Sequence, residues 1–358
     1  MPRLLAVFLI ARLIVVACAI GVEQLAPASS AGPAASVLRY TDRPLLASLT
    51  SWDGVYYLGI AADGYRAGPV NGPYPNIVFF PLYPLAVRAV AAPLGGDVAL
   101  AGVLVANAAG LAALFVAYAL ARRRLGSDAA LLATTLVALQ PGAVAFAMTY
   151  SDSLFLLLAV GALFCAERDQ RPAAGTLAAL AALARLQGAL LIVPLLLLFA
   201  ARDGRKPHAS WLWALGGPLG LVAFAAFIGG VTGEPLALLT AQSIWDGGVP
   251  GAVAPASALV VGAIVYAAVA LVEARLLLDR WRARADGTGV GWALANVAAI
   301  LVARRIASLP RYLAPVTQLA EQLAGGKYRR RTVKLVLAGA VVGYTALAVL
   351  HFALLLAP

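Results

Sequence analysis

Apolar stretches about 20 residues long, almost free of charge, recur along this chain, and they constrain its fold more than any other feature. Leu4 to Val22 is the first, and 98–121, 129–149, 210–229, 257–278 and 332–356 repeat the pattern. Such a run is what a helix needs to cross the ~30 Å hydrocarbon core of a bilayer. Composition agrees. Of 358 residues, 62% are hydrophobic and 12% are charged, against about 45–50% and about 25% in soluble proteins. A soluble globular domain and a disordered chain are both excluded. So is a membrane β-barrel, whose strands alternate apolar and polar residues. What is left is an all-α polytopic membrane protein, one domain over 1–358. Its roughly 222 apolar residues suffice for about ten or eleven spans.

The net charge is +11, from 27 Lys+Arg against 16 Asp+Glu. In a bilayer protein this excess marks cytoplasmic loops, and nucleic acid is not expected as a partner. Only Lys206, Lys327 and Lys334 are lysines, and the Arg, Ala and Gly excess suggests a GC-rich, bacterial genome. Cys18 and Cys165 sit in apolar runs, and His208 and His351 lie far apart. Neither a disulfide nor a zinc site is expected from them.

Charge also sets the expected topology. The first span reads as an uncleaved signal anchor with a cytoplasmic N-terminus, despite a lipoprotein-like Val15-Val16-Ala17-Cys18 and the intrusive Arg12. Residues 23–97 form a long extracytoplasmic loop. Within it Trp52 to Tyr65 reads as a short amphipathic helix on the membrane, and 78–94 as an interfacial or re-entrant helix, because of its two prolines and Arg88. The bundle of remaining spans covers 98–358. Residues 172–200 are expected as two short helices broken near Arg185-Leu186-Gln187-Gly188. Spans at 154–166, 289–304 and 312–325 complete an expected eleven, with the C-terminus outside. This arrangement leaves 19 basic residues inside or near it and 8 outside: Arg39, Arg43, Arg66, Arg88, Arg185, Arg304, Arg305 and Arg311.

The unusual residues collect on the outer side. Ser51-Trp52-Asp53-Gly54-Val55-Tyr56-Tyr57 offers a carboxylate, Asp53, at the edge of the membrane among aromatics. A carboxylate there can act as a general base toward a hydroxyl; the plainer alternative is a capped interfacial helix. Phe79-Phe80-Pro81-Leu82-Tyr83-Pro84 follows it. Tyr150-Ser151-Asp152-Ser153 either caps the next span or turns Asp152 to a pocket. Arg185 lies inside an apolar stretch, where an ionisable residue is costly and is by default a functional candidate. It can clamp a phosphate or pair with Asp152. Arg304, Arg305 and Arg311 stand outside against the charge trend; an anionic ligand gives them a reason, and a looser snorkelling role is the alternative. No internal repeat is visible, which weighs against a transporter of lipid-linked saccharide. That reading and a structural subunit remain the rivals of an enzyme.

The blocks Trp52-Asp53-Gly54-x-Tyr56-Tyr57, Ile60-Ala61-x-x-Gly64-Tyr65 and Phe79-Phe80-Pro81-Leu82-Tyr83-Pro84 closely resemble the PIG-V family. These are the second mannosyltransferases of GPI-anchor synthesis and their bacterial relatives. Tyr150-Ser151-Asp152-Ser153-Leu154-Phe155, Arg185-x-x-Gly188 and Pro310-Arg311-Tyr312 follow in the family's order, so the resemblance spans about 50–315. It implies a GT-C glycosyltransferase fold, a polyprenyl-phosphate-linked sugar donor (mannose, or in a near alternative arabinose or glucose) and an extracytoplasmic active site in the bacterial inner membrane. Asp53 matches the family's essential first-loop Asp. On this reading Arg185, Arg311 and Arg305 hold the donor phosphate. Trp52, Tyr56, Tyr57, Tyr83, Asp152, Gln187 and Tyr312 line the substrates, and the acceptor is a glycolipid, a glycan or a protein. No cofactor and no obligatory metal are expected.

Overall fold

The structure, a computed structural model, describes residues 1–25, 39–66, 76–244, 291–297, 317–325 and 330–353, with Val265, Leu271, Val272, Arg275, Leu276 and Tyr328. Among them every regular element is a helix. In chain order the longer α-helices are α1 Pro2–Leu25, α2 Asp53–Asp63, α3 Leu82–Ala91, α4 Val98–Leu125, α5 Ser127–Leu139 and α6 Asp152–Glu167. Next come α7 Arg171–Ala184, α8 Ile192–Arg202, α9 Gly216–Thr232, α10 Ala237–Ile244, α11 Thr317–Ala324 and α12 Arg330–Phe352.

Four helical stretches among the described residues are long and apolar enough to cross a membrane: Pro2–Leu25, Val98–Leu125, Ala209–Thr232 and Arg330–Phe352. The first shows why. Leu4, Phe8, Ala11, Val15 and Ala19 are buried at helical spacing, while Leu5, Leu9, Ile10 and Leu13 on the other face are exposed. A helix apolar on every side is suited to hydrocarbon and not to water. The chain is a membrane protein.

The expected count of eleven spans meets several shorter pieces. The stretch 129–149 is not one helix. It stops at Leu139, and a 3-10 turn over Pro141–Phe146 follows. Pro141 is the cause: it biases Gln140 toward extended backbone, seen as ψ 152°. Residues 172–200 do break as the sequence implies, with α7 ending at Ala184, a 3-10 turn over Leu186–Leu191 and then α8. The 78–94 segment is likewise a short helix with a 3-10 end. Most of the expected 257–278 and 289–304 spans, and the start of 312–325, lie outside the described residues.

Helix α2 is more than a surface helix. It buries Gly54, Tyr57, Leu58, Ile60 and Ala61, and this face packs on α3 and α4. Arg88 on α3 crosses to the end of α2 and donates to the carbonyls of Ile60, Ala61 and Ala62, 2.6 to 3.3 Å away. A cation there satisfies the orphan carbonyls and the negative end of the helix dipole.

Polar residues gather at the two ends of α6. At its C-terminal end Glu167 pairs with Arg124, which also reaches Glu321 at 2.9 Å. Close by, Arg171 forks onto Asp203 and touches Asp169. Asp152 stands at the other end, about 24 Å away for a 16-residue helix. The bundle therefore holds a clamped end and a second end, where the motif residues lie.

Candidate active site

The corner 49–53 leads into α2. Thr149 donates its backbone N–H to the Leu49 carbonyl at 3.0 Å, and the Tyr150 hydroxyl donates to the Ser51 carbonyl at 3.3 Å. These bonds lay the corner against the 149–151 turn. Gly54 is required by that approach, because a Cβ there would collide with Thr149 Oγ1. Trp52, just before the helix, adopts φ 57° and ψ −123°, a backbone region that side chains other than glycine rarely occupy. Asp53 follows as the first helical residue and is half-buried.

Asp53 and Tyr57 are four residues apart and share one face of α2. Tyr57 is buried, and its hydroxyl lies 2.7 Å from Ser151 Oγ. Ser151 precedes Asp152. The Asp152 carboxylate receives the Arg185 guanidinium at 2.6 Å, and both side chains are more than nine-tenths buried. Arg185 Nε donates to Gln187 Oε1 at 2.8 Å. Gln187 Nε2 then donates to Asn296 Oδ1 at 3.0 Å, and Asn296 Nδ2 donates to the Trp292 carbonyl at 2.9 Å. Two buried polar links, Tyr57 to Ser151 and Asp152 through Arg185 and Gln187 to Asn296, thus meet where Ser151 and Asp152 adjoin at the start of α6.

Local backbone explains how Arg185 arrives there. It ends α7 in extended conformation, φ −156° and ψ 148°. Gly188 lets the following 3-10 turn lie directly on α7, since a Cβ at 188 would strike the backbone of Ala181 and Ala182.

The other aromatic candidates are spent in different ways. Tyr56 stacks on Phe79 with centroids 4.8 Å apart and planes 7° apart. Tyr83 is fully buried and donates its hydroxyl to the Gly102 carbonyl at 2.8 Å. It braces α3 on α4 and presents no surface to a substrate. Trp52 donates its indole N–H to the His351 carbonyl at 3.3 Å. Burial pushes the Tyr65 hydroxyl well above its usual range, so it stays protonated and donates to the Phe79 carbonyl at 2.6 Å. Arg304, Arg305, Arg311 and Tyr312 lie outside the described residues. Among the described residues no three His, Cys, Asp or Glu side chains converge as metal ligands.

Sequence reasoning passed over two residues of this end. Asn296 is a lone amide in an apolar segment, the same signal that singled out Arg185. His351 drew notice only as a histidine without a zinc partner. Its fully buried ring lies against the corner, with Nε2 3.3 Å from Ser51 Oγ.

A membrane-embedded helical bundle with a carboxylate helix joined to a buried ion pair at one end is the class defined so far. The mannosyltransferase (PIG-V) family profile matches residues 1–197. The chain belongs to that family. No curated protein matches the sequence. Among solved structures, the oligosaccharyltransferase of Archaeoglobus fulgidus with zinc and sulfate is similar at 16% identity and TM-score 0.49, covering 97% of this chain and 53% of that one. The same enzyme tethered to an acceptor peptide with the NVT sequon gives 16% identity and TM-score 0.48, covering 99% and 56%. The chain spans about half the length of that enzyme.

Proposed function

We propose that this protein transfers a sugar, mannose first among candidates, from a polyprenyl-phosphate donor to an acceptor hydroxyl on the extracytoplasmic side of a bacterial inner membrane. Family membership supports the glycosyltransferase class. The observation that carries the reading furthest is spatial: Tyr57, one turn below Asp53, meets Ser151 beside the Asp152–Arg185 pair. Residues nearly a hundred or more positions apart thereby meet at one end of the bundle.

The step is a single inverting displacement. The acceptor oxygen attacks the anomeric carbon while Asp53 takes its proton. The bond from that carbon to the phosphate oxygen breaks, and the polyprenyl phosphate leaves with one more negative charge. Arg185 answers that charge in a low-dielectric site, where such stabilisation is strongest. Asp152 and Gln187 hold its guanidinium in place before the donor arrives. Arg305 and Arg311 are proposed to join it, so that guanidinium groups rather than an obligatory metal balance the phosphate. An apolar cleft of about 470 Å³ between α2, α3, α7 and α9, lined by Ile60, Tyr65, Leu85, Leu183, Phe224 and Phe227, suits an isoprenoid tail. Leu183 places it two residues from Arg185.

The test is transfer from labelled polyprenyl-phosphomannose in membranes holding wild type or Asp53→Asn at equal protein level. Transfer by wild type, reduced about 100-fold or more in the variant, is the expected result for loss of a general base. Equal transfer in both would remove Asp53 from the chemistry. No transfer above empty membranes would reject this donor.

A further inference from the structure

Trp52 holds a costly backbone, and its indole N–H and the side chain of its neighbour Ser51 both meet one residue, 299 and 300 positions further along. A non-glycine residue in such a region is strained and persists only where its surroundings enforce it. His351 supplies that enforcement from the last turn of α12. Its carbonyl, one of those a helix end leaves without an internal partner, accepts the Trp52 indole N–H at 3.3 Å. Its Nε2 lies 3.3 Å from Ser51 Oγ. The direction of that contact follows from Ser51. The Ser51 hydroxyl has one proton, and it goes to the Ser48 carbonyl at 2.8 Å, so Ser51 Oγ accepts and His351 Nε2 donates. The imidazole is also fixed in the plane it needs, between Trp52, Tyr150 and Phe352, with centroids 6.2, 6.3 and 5.3 Å away.

The consequence falls on Asp53. It follows Trp52 directly, so the φ and ψ of Trp52 set where the Asp53 side chain leaves the chain. We propose that His351 is a positioning residue for Asp53, holding the Ser51–Trp52 corner so that the carboxylate meets the acceptor hydroxyl. This rests on the reading of Asp53 as the base.

Three full-length variants test it. His351→Phe keeps a buried ring without the donor, His351→Gln restores an N–H donor, and Ser51→Ala removes the acceptor with little change of volume. Two readouts are taken: amide hydrogen exchange over residues 48–58, and kcat and KM for sugar transfer. His351→Phe and Ser51→Ala are expected to raise exchange in 48–58 about tenfold, the scale of one hydrogen bond, with the rest of the bundle unchanged. In both, kcat falls about tenfold while KM stays within about twofold, and His351→Gln stays within about threefold of wild type on every measure. Unchanged exchange in Ser51→Ala and His351→Phe would overturn the proposal, as would His351→Gln behaving like His351→Phe. Should His351→Phe loosen the whole bundle, Ser51→Ala and His351→Gln decide by the same criteria. Exchange changes without any transfer by wild type would sink the donor reading and leave the hold of His351 on the corner standing.

Discussion

Arg185 is a side chain whose part in stability can be separated from the chemistry proposed for it. Its guanidinium is paired with Asp152 in the protein interior, at 2.6 Å. Breaking such a pair by removing one partner costs about 3–5 kcal/mol, because an uncompensated charge stays buried. Replacing both partners by apolar residues costs far less. Asp152→Ala is therefore expected to lower thermal stability in detergent sharply, and Asp152→Ala combined with Arg185→Met to recover most of it. The double variant is expected to remain inactive in sugar transfer, since the proposed mechanism needs the Arg185 guanidinium for the leaving phosphate. An active double variant would show the pair to be purely structural. Arg12 faces the same problem with a different answer. Within α1 it donates to Asn107 Oδ1 at 2.5 Å and to the Phe146 carbonyl at 3.0 Å, so neutral acceptors carry it and tie α1 to α4 and the 3-10 turn.

At the scale of elements, the site depends on where helices stop. Helix α5 ends at Leu139 ahead of Pro141, and the turn that follows delivers Tyr150, Ser151 and Asp152 to the corner before α2. Helix α7 ends at Ala184, and Gly188 lets the next turn sit on it. Gly217 in α9 closes on the same turn, since a Cβ there would strike the Gly188 carbonyl. Gly188→Ala is thus expected to cost roughly 1–3 kcal/mol by overpacking, read as a drop of several degrees in Tm. It should also weaken transfer, because Arg185 and Gln187 flank the displaced turn. A Tm equal to wild type would mean that α7 and the turn separate without penalty. A comparable substitution at Gly59, which has open space around it, is the control.

At the scale of the molecule, an exposed clamp ties the first long loop to the bundle. Arg43 Nη1 and Nη2 both donate to Asp97 at 2.6 Å, and Asp97 also caps α4 by accepting from the Leu100 N–H at 3.0 Å. The hydrogen bonds from Arg43, then that from Leu100, hold the Asp97 carboxyl down to about 2. A carboxyl depressed on folding stabilises above its unfolded value, near 3.9, and the gain is lost as pH falls through its folded value. The clamp is therefore fully present above pH about 5 and fades between about 4 and 2. Measured in detergent from pH 6 to 2.5, wild-type Tm should fall more steeply in that window than Tm of Asp97→Asn. Parallel curves would leave the clamp with no part in acid stability.

Much of this architecture is written in local pattern. Apolar length makes spans, because an unpaired backbone cannot remain in hydrocarbon. The break near Arg185 was legible because a lone Arg beside a Gly interrupts an apolar run. The short helix at Trp52 to Tyr65 was legible as an amphipathic segment, Asp53 stood out as a carboxylate among aromatics at the membrane edge, and Arg185 as a charge that a membrane does not tolerate without cause. Other features have no local signal. Tyr83 reads like Tyr56 and Tyr57, yet the approach of Gly102 commits its hydroxyl to α4. That Trp52 leans on His351, that Gln187 reaches Asn296 and that Tyr57 finds Ser151 are long-range pairings. Each depends on which helix faces which, and helix orientation is decided by the packing of whole faces rather than by neighbouring residues. The sequence by itself determined a helical membrane protein of this family and its two most telling charges. Their common side was already expected from the charge pattern; only the tertiary structure decided which distant residues hold them there.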